Sequence, residues 1–151
     1  MPYTMKDKKD NRVYKLKNTQ EVALKDSKDL FVVKLDGSKL YTYDEFEKAA
    51  KAAFQTPTDE SMIWLNEPGN PFSWVEYLDW LMDAGFNSFT LIVENWSKAL
   101  TRENKKENLL WEFQYICDFW GYEILRIAGN GHLETKSEYT KPRDFNIYLV
   151  G

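Results

Sequence analysis

Three short, nearly unbroken apolar runs constrain this chain more than any other feature. They are Leu30-Phe31-Val32-Val33-Lys34-Leu35, Phe89-Thr90-Leu91-Ile92-Val93 and Phe145-Asn146-Ile147-Tyr148-Leu149-Val150. Each is too short for an ordinary helix and rich in β-branched and aromatic residues, so each reads as a strand. The middle run lacks polar alternation, which suits a strand covered on both faces. Between the runs the apolar period changes to that of a helix. Thr42 and Glu45 fit a capping box, Phe46, Ala49, Ala50, Ala53 and Phe54 fall on one stripe, and Pro57 stops it. A second helix is predicted over 73–84, with Ser73 as N-cap and Gly85 at its end. A third is predicted over 102–120, with Leu109, Leu110, Phe113, Ile116, Cys117 and Trp120 as its stripe and Gly121 closing it. Strands separated by helices predict an α/β fold: a small, largely parallel sheet of about three strands packed with three to four helices. Residues 122–128 and 132–139 flank Gly129-Asn130-Gly131 and predict an extra C-terminal hairpin.

The chain has 151 residues, 43% hydrophobic and 16% aromatic, enough to build one packed domain. Residues 1–28 are charged and weakly periodic. They read as an N-terminal extension, either a solvated tail or edge strands near 13–16 and 21–24. The basic group Lys6, Lys8, Lys9, Arg12, Lys15 and Lys17 within them reads as solvated. With one cysteine, no internal disulfide can form. No signal-peptide core and no 18-residue apolar span is visible, so a cytoplasmic protein without a membrane partner is expected.

Charge is unevenly placed. Residues 52–97 contain no Lys or Arg, yet hold Asp59, Glu60, Glu67, Glu76, Asp79, Asp83 and Glu94. The same stretch carries Trp64, Phe72, Trp74, Tyr77, Trp80 and Trp96. A net charge of −4 argues against direct nucleic-acid binding, which needs surplus cations. On a helix over 73–84, Val75, Leu78, Leu81 and Met82 share one side, with Trp74 at its margin. Glu76, Asp79 and Asp83 share the other, bordered by Trp80. The expectation is three outward carboxylates beside indole anchors, a surface suited to a cationic protein.

These segments resemble the barstar family, bacterial intracellular inhibitors of barnase-type ribonucleases. The resemblance rests on Leu35-Asp36-Gly37-Ser38-Lys39-Leu40, on Tyr43-Asp44-Glu45-Phe46 and on Leu78-Asp79-Trp80-Leu81-Met82-Asp83. It continues through Leu91-Ile92-Val93-Glu94-Asn95-Trp96, the helix ending at Gly121, and Asp144-Phe145 to Val150. It implies a barstar-like domain over 29–151 with insertions at 56–72 and 122–143. It also implies that the second helix and the loop before it occlude a ribonuclease active site. By that resemblance Asp79 and Asp83 take the principal acidic contact positions, Glu76 lies beside them, and Trp74 stands in for an aromatic contact. Met82 falls where the family has a tryptophan, and Ile116 where it has an acidic contact; these departures bear on the identity of the target, a different ribonuclease or another basic toxin, more than on the fold.

The expected function is therefore inhibition of, or immunity to, a basic ribonuclease or related toxin. Trp74, Glu76, Asp79, Trp80 and Asp83 are the partner-binding residues. No catalytic residue, cofactor or metal is expected, and the free protein is expected to be a monomer. Two alternatives stand beside this: an adaptor of the same fold for another basic protein, and a small acid/base hydrolase using Glu76, Asp79 or Asp83. Against the hydrolase, an exposed convex helix should leave carboxyl pKa values near normal. Cys117 on an apolar stripe reads as packing, His132 beside Gly131 as a surface turn residue, and Trp111 and Trp120 as core or rim.

Overall fold

The computed structural model describes residues 2–57 and 73–151. In chain order the elements are β1 (Tyr3–Thr4), β2 (Val13–Leu16), β3 (Leu30–Asp36), α1 (Tyr43–Ala53), α2 (Asp79–Asp83), β4 (Ser88–Glu94), α3 (Lys106–Asp118), α4 (Ile124–Ala128), β5 (Glu134–Thr135) and β6 (Phe145–Val150). The three apolar runs are β3, β4 and β6. With β2 they form a four-stranded sheet in the order β2-β6-β4-β3, every pairing parallel. The α/β class is as expected, with one more strand than about three. That strand comes from the N-terminal extension: Val13 pairs with Ile147 and Leu16 with Val150. Near residues 21–24 there is no strand; a short 3-10 turn covers Thr19–Glu21.

The direction of chain travel places the layers. From β3 to β4 to β6 the chain steps across the sheet one way, and the right-handed crossover rule keeps the intervening helices on one face. There Val33, Leu35, Phe89, Leu91, Val93, Phe145, Ile147 and Leu149 meet Phe46, Ala50, Leu109, Phe113 and Cys117 in one buried core. From β2 to β3 the chain crosses the whole sheet the other way, so residues 17–29 strap the opposite face. Tyr148 Oη donates to the Ala23 carbonyl (3.4 Å), Thr19 Oγ1 to Glu94 (2.8 Å), and Lys25 pairs with Asp144 (2.9 Å). The strap leaves an open cavity of about 750 Å³ beside the stacked Tyr14 and Tyr148 rings. Of the charged residues lining it, Asp10 pairs with Arg12 and Lys25 with Asp144, while Glu21 accepts from the Lys17 and Asn18 backbone N–H groups.

The predicted C-terminal hairpin is not there. The helix runs on from α3 through one wide π turn, Phe119–Glu123, into α4. Trp120, Ile124 and Leu125 are buried, continuing the stripe of α3. Gly121 does not end this helix. It admits the N-terminal segment: a Cβ there would lie 2.7 Å from the Lys9 carbonyl oxygen, and Lys9 N donates to Gly121 O at 3.0 Å. Arg143 N donates to Trp120 O, and the buried Asn11 amide to Cys117 O, so helix carbonyls turn outward to other partners where the coil widens. Gly129-Asn130-Gly131 terminates α4, with Gly131 N donating to Arg126 O at 2.8 Å. The only strand between 132 and 139 is β5, which pairs antiparallel with β1.

Candidate functional site

The predicted helix over 73–84 is interrupted. Ser73–Glu76 form a 3-10 turn, Leu78 is left-handed (φ 34°), and only Asp79–Asp83 are α-helical. A buried leucine in that region is costly, and packing is what holds it there: Leu78 is 0% exposed. Trp74, Val75 and Leu81 are buried with it. Gly85 closes the segment at φ 101°.

This break sorts the five expected contact residues. Trp74 is corrected: it is fully buried, its ring 5.7 Å from Phe54, and as placed it presents no surface to a partner. The physical reason is that the 3-10 turn points it into the core rather than along the margin of a continuous helix. Trp80 is half-buried, and its indole N–H donates to the Phe54 carbonyl (2.8 Å), tying α2 to the end of α1. Asp79 and Asp83 are exposed on α2, one turn apart. Glu76, half-buried, lies on the preceding turn and accepts from Tyr115 Oη at 2.5 Å. Asp83 accepts from Tyr139 Oη at 2.8 Å. Among the described residues, none of the three carboxylates is in an ion pair. The loop expected to share this face, with Asp59, Glu60, Trp64, Glu67 and Phe72, lies outside the described residues.

Electrostatics at the site depart from expectation for one residue. The Asp79 pKa is raised, first by burial of its carboxyl among neighbouring atoms and then by Asp83, against a lowering pull from Arg143. Arg143 was not legible as a site residue. It is 4% exposed, donates through Nε to Asn87 (3.0 Å) and approaches Glu138 at 3.9 Å. Its own pKa is lowered by burial. A buried cation thus underlies the acidic surface without pairing with it. The Tyr115 hydroxyl is pushed up to about 12 by burial and by Glu76, and Tyr139 is raised by Asp83, so both remain donors to those carboxylates.

Beside the acids lies a cleft of about 250 Å³, between the 73–79 segment and α4. Phe119, Ile124, Ile127 and Ala128 give it apolar walls, and Glu76 and Asp79 stand at its edge. Trp111, expected in the core or rim, is 70% exposed and stacks on Tyr115. Trp120 is fully buried, its indole donating to Val75 O at 2.8 Å. Cys117 is buried, its thiol pushed up to about 12, and His132 is exposed in the turn after α4. Among the described residues no three of His, Cys, Asp and Glu gather to hold a metal ion, and no helix is long and apolar enough to cross a membrane.

Comparisons with protein-family models, with curated proteins and with solved structures found no match to this chain.

Proposed function

We propose that this chain is a barstar-type inhibitor, an immunity protein that binds a basic ribonuclease or related toxin inside the producing cell and occludes its active site. The observation carrying this reading is the exposure of Asp79 and Asp83 on one short helix, with Glu76 adjacent and no ion pair on any of them among the described residues. Ribonuclease sites concentrate positive charge in a cleft to hold a polyanion. Carboxylates fixed on a packed segment match that field and offer no bond to cleave. Complementary fields also raise association rates above the roughly 10⁵–10⁶ M⁻¹s⁻¹ of neutral pairs. The parallel sheet with helices in the order of the resemblance supports the same reading.

The test is to mix the purified protein with a basic nuclease encoded beside its gene and follow RNA cleavage. Inhibition should be lost in the Asp79→Ala/Asp83→Ala double variant while circular dichroism is unchanged. Undiminished inhibition by that variant rules out this surface. The raised pKa of Asp79 next to a cleft is what favours the hydrolase alternative. That alternative requires turnover of a substrate that disappears in Asp79→Asn.

A further inference from the structure

We infer that the cleft beside the acidic helix receives a large apolar side chain from the bound protein, so that the partner presents a hydrophobic residue directly next to a lysine or arginine. This rests on the proposal that the acidic surface binds a protein, and it adds what that protein must look like. Charge alone describes only half of the surface. Phe119 and Ile124 form the cleft's packed walls, and Ile127, 52% exposed, forms its outer lip. Glu76 and Asp79 border the same opening. A bare cation would leave the apolar walls uncovered. A bare hydrophobe would strip water from the carboxylates without replacing it. A side chain pair of both kinds avoids each cost.

The apolar and acidic parts are one surface. Tyr115 stacks between Trp111 and Phe119, with centroids 5.9 and 6.4 Å away, and its hydroxyl holds Glu76. Tyr77 and Tyr139, 39% and 49% exposed, line the cleft itself, and exposed aromatics around a pocket, with charges at its rim, are the usual anatomy of a protein interface hot spot. The volume of about 250 Å³ admits one large side chain and no secondary-structure element.

Amide-resolved NMR titration of the full chain tests this with three probes: N-acetyl-phenylalanyl-arginine amide, N-acetyl-glycyl-arginine amide and N-acetyl-phenylalanyl-glutamate amide. The first should shift resonances of Glu76, Asp79, Ile127 and Ala128. It should bind at least about tenfold more tightly than the second, the factor expected for burying part of one large apolar side chain. The third should not bind. Ala128→Trp fills the cleft at an exposed position and should abolish the preference for the phenylalanyl probe, with unchanged circular dichroism. Equal binding of the first two probes, shifts elsewhere, or an intact preference in Ala128→Trp overturns the inference. The two readings fail separately. Nuclease inhibition that persists without any dipeptide preference removes the cleft alone, whereas a cleft-centred preference without nuclease inhibition removes the nuclease reading alone.

Discussion

Helix α1 and the acidic segment 73–83 look alike as sequence, and fold differently. α1 is one continuous helix of 11 residues. Thr42 accepts from Glu45 N at 3.2 Å, and Lys48–Asp44 and Lys51–Glu47 pair one turn apart. The acidic segment has no cation of its own, breaks at Leu78, and keeps a helix of 5 residues. So short a helix is not stable by itself. Contacts from elsewhere hold it: Trp120 to Val75, Trp80 to Phe54, Tyr115 to Glu76 and Tyr139 to Asp83. Local chemistry writes α1. The acidic segment is held by the rest of the molecule, in part through its own Glu76 and Asp83 carboxylates.

Breaking the external supports should therefore cost most. Trp120→Ala removes a fully buried ring and its hydrogen bond to Val75, and should destabilise by about 3–5 kcal/mol in urea unfolding. Next in size is an effect on binding rather than folding: Asp79→Ala with Asp83→Ala should weaken the inhibitory complex by about 2–5 kcal/mol, read by calorimetry. In α1, where support is local, Thr42→Ala should cost about 0.5–2 kcal/mol by thermal unfolding. Lys48→Ala, at an exposed pair, should cost no more than about 0.5 kcal/mol.

The smallest effect has the opposite sign and sharpens the comparison. Asp79 has a folded pKa above its unfolded value of 3.8, so the folded protein holds its proton more tightly, and ionisation counts against folding. That penalty is absent below the unfolded pKa and grows as pH rises through the folded one. Asp79→Asn should be slightly more stable than wild type at pH 7, by under about 0.5 kcal/mol given its exposure, and the gap should close near pH 4. A gap that is constant with pH would show that ionisation of Asp79 is not its source. Asp36 behaves oppositely: hydrogen bonds from Ser38 and Asn95 hold it down to about 2, so its contribution is fully present above pH 3.8 and is lost as pH falls from there through about 2.

Much of the core was legible from period alone. The three apolar runs are the sheet's central strands and one edge, and the α1 stripe buries Phe46, Ala50 and Phe54. The sequence predicts a stop at Gly121 and a hairpin beyond it; the helix continues instead, with Trp120 and Ile124 extending the stripe of α3, while Gly121 admits Lys9. Of the expected contact residues, Asp79 and Asp83 are exposed together, Glu76 is close by, Trp80 is half-occupied with Phe54, and Trp74 is inside. Arg143, Tyr115 and Tyr139 carried no local signal, since each reaches the acids from a distant part of the chain.

What the sequence determined by itself was the α/β class, the strands at 30–35, 89–93 and 145–150, helix α1, and a middle third with acids and no cations. Those follow from side-chain period, capping and charge, which act over a few residues. The tertiary structure decided the rest: β2 as the fourth strand, the 3-10 turn that points Trp74 inward and the left-handed Leu78 after it, the replacement of a hairpin by helix, and the cleft beside Glu76 and Asp79. Each of these depends on which distant backbone or ring fills a given space, and close packing settles that only when the whole chain is assembled.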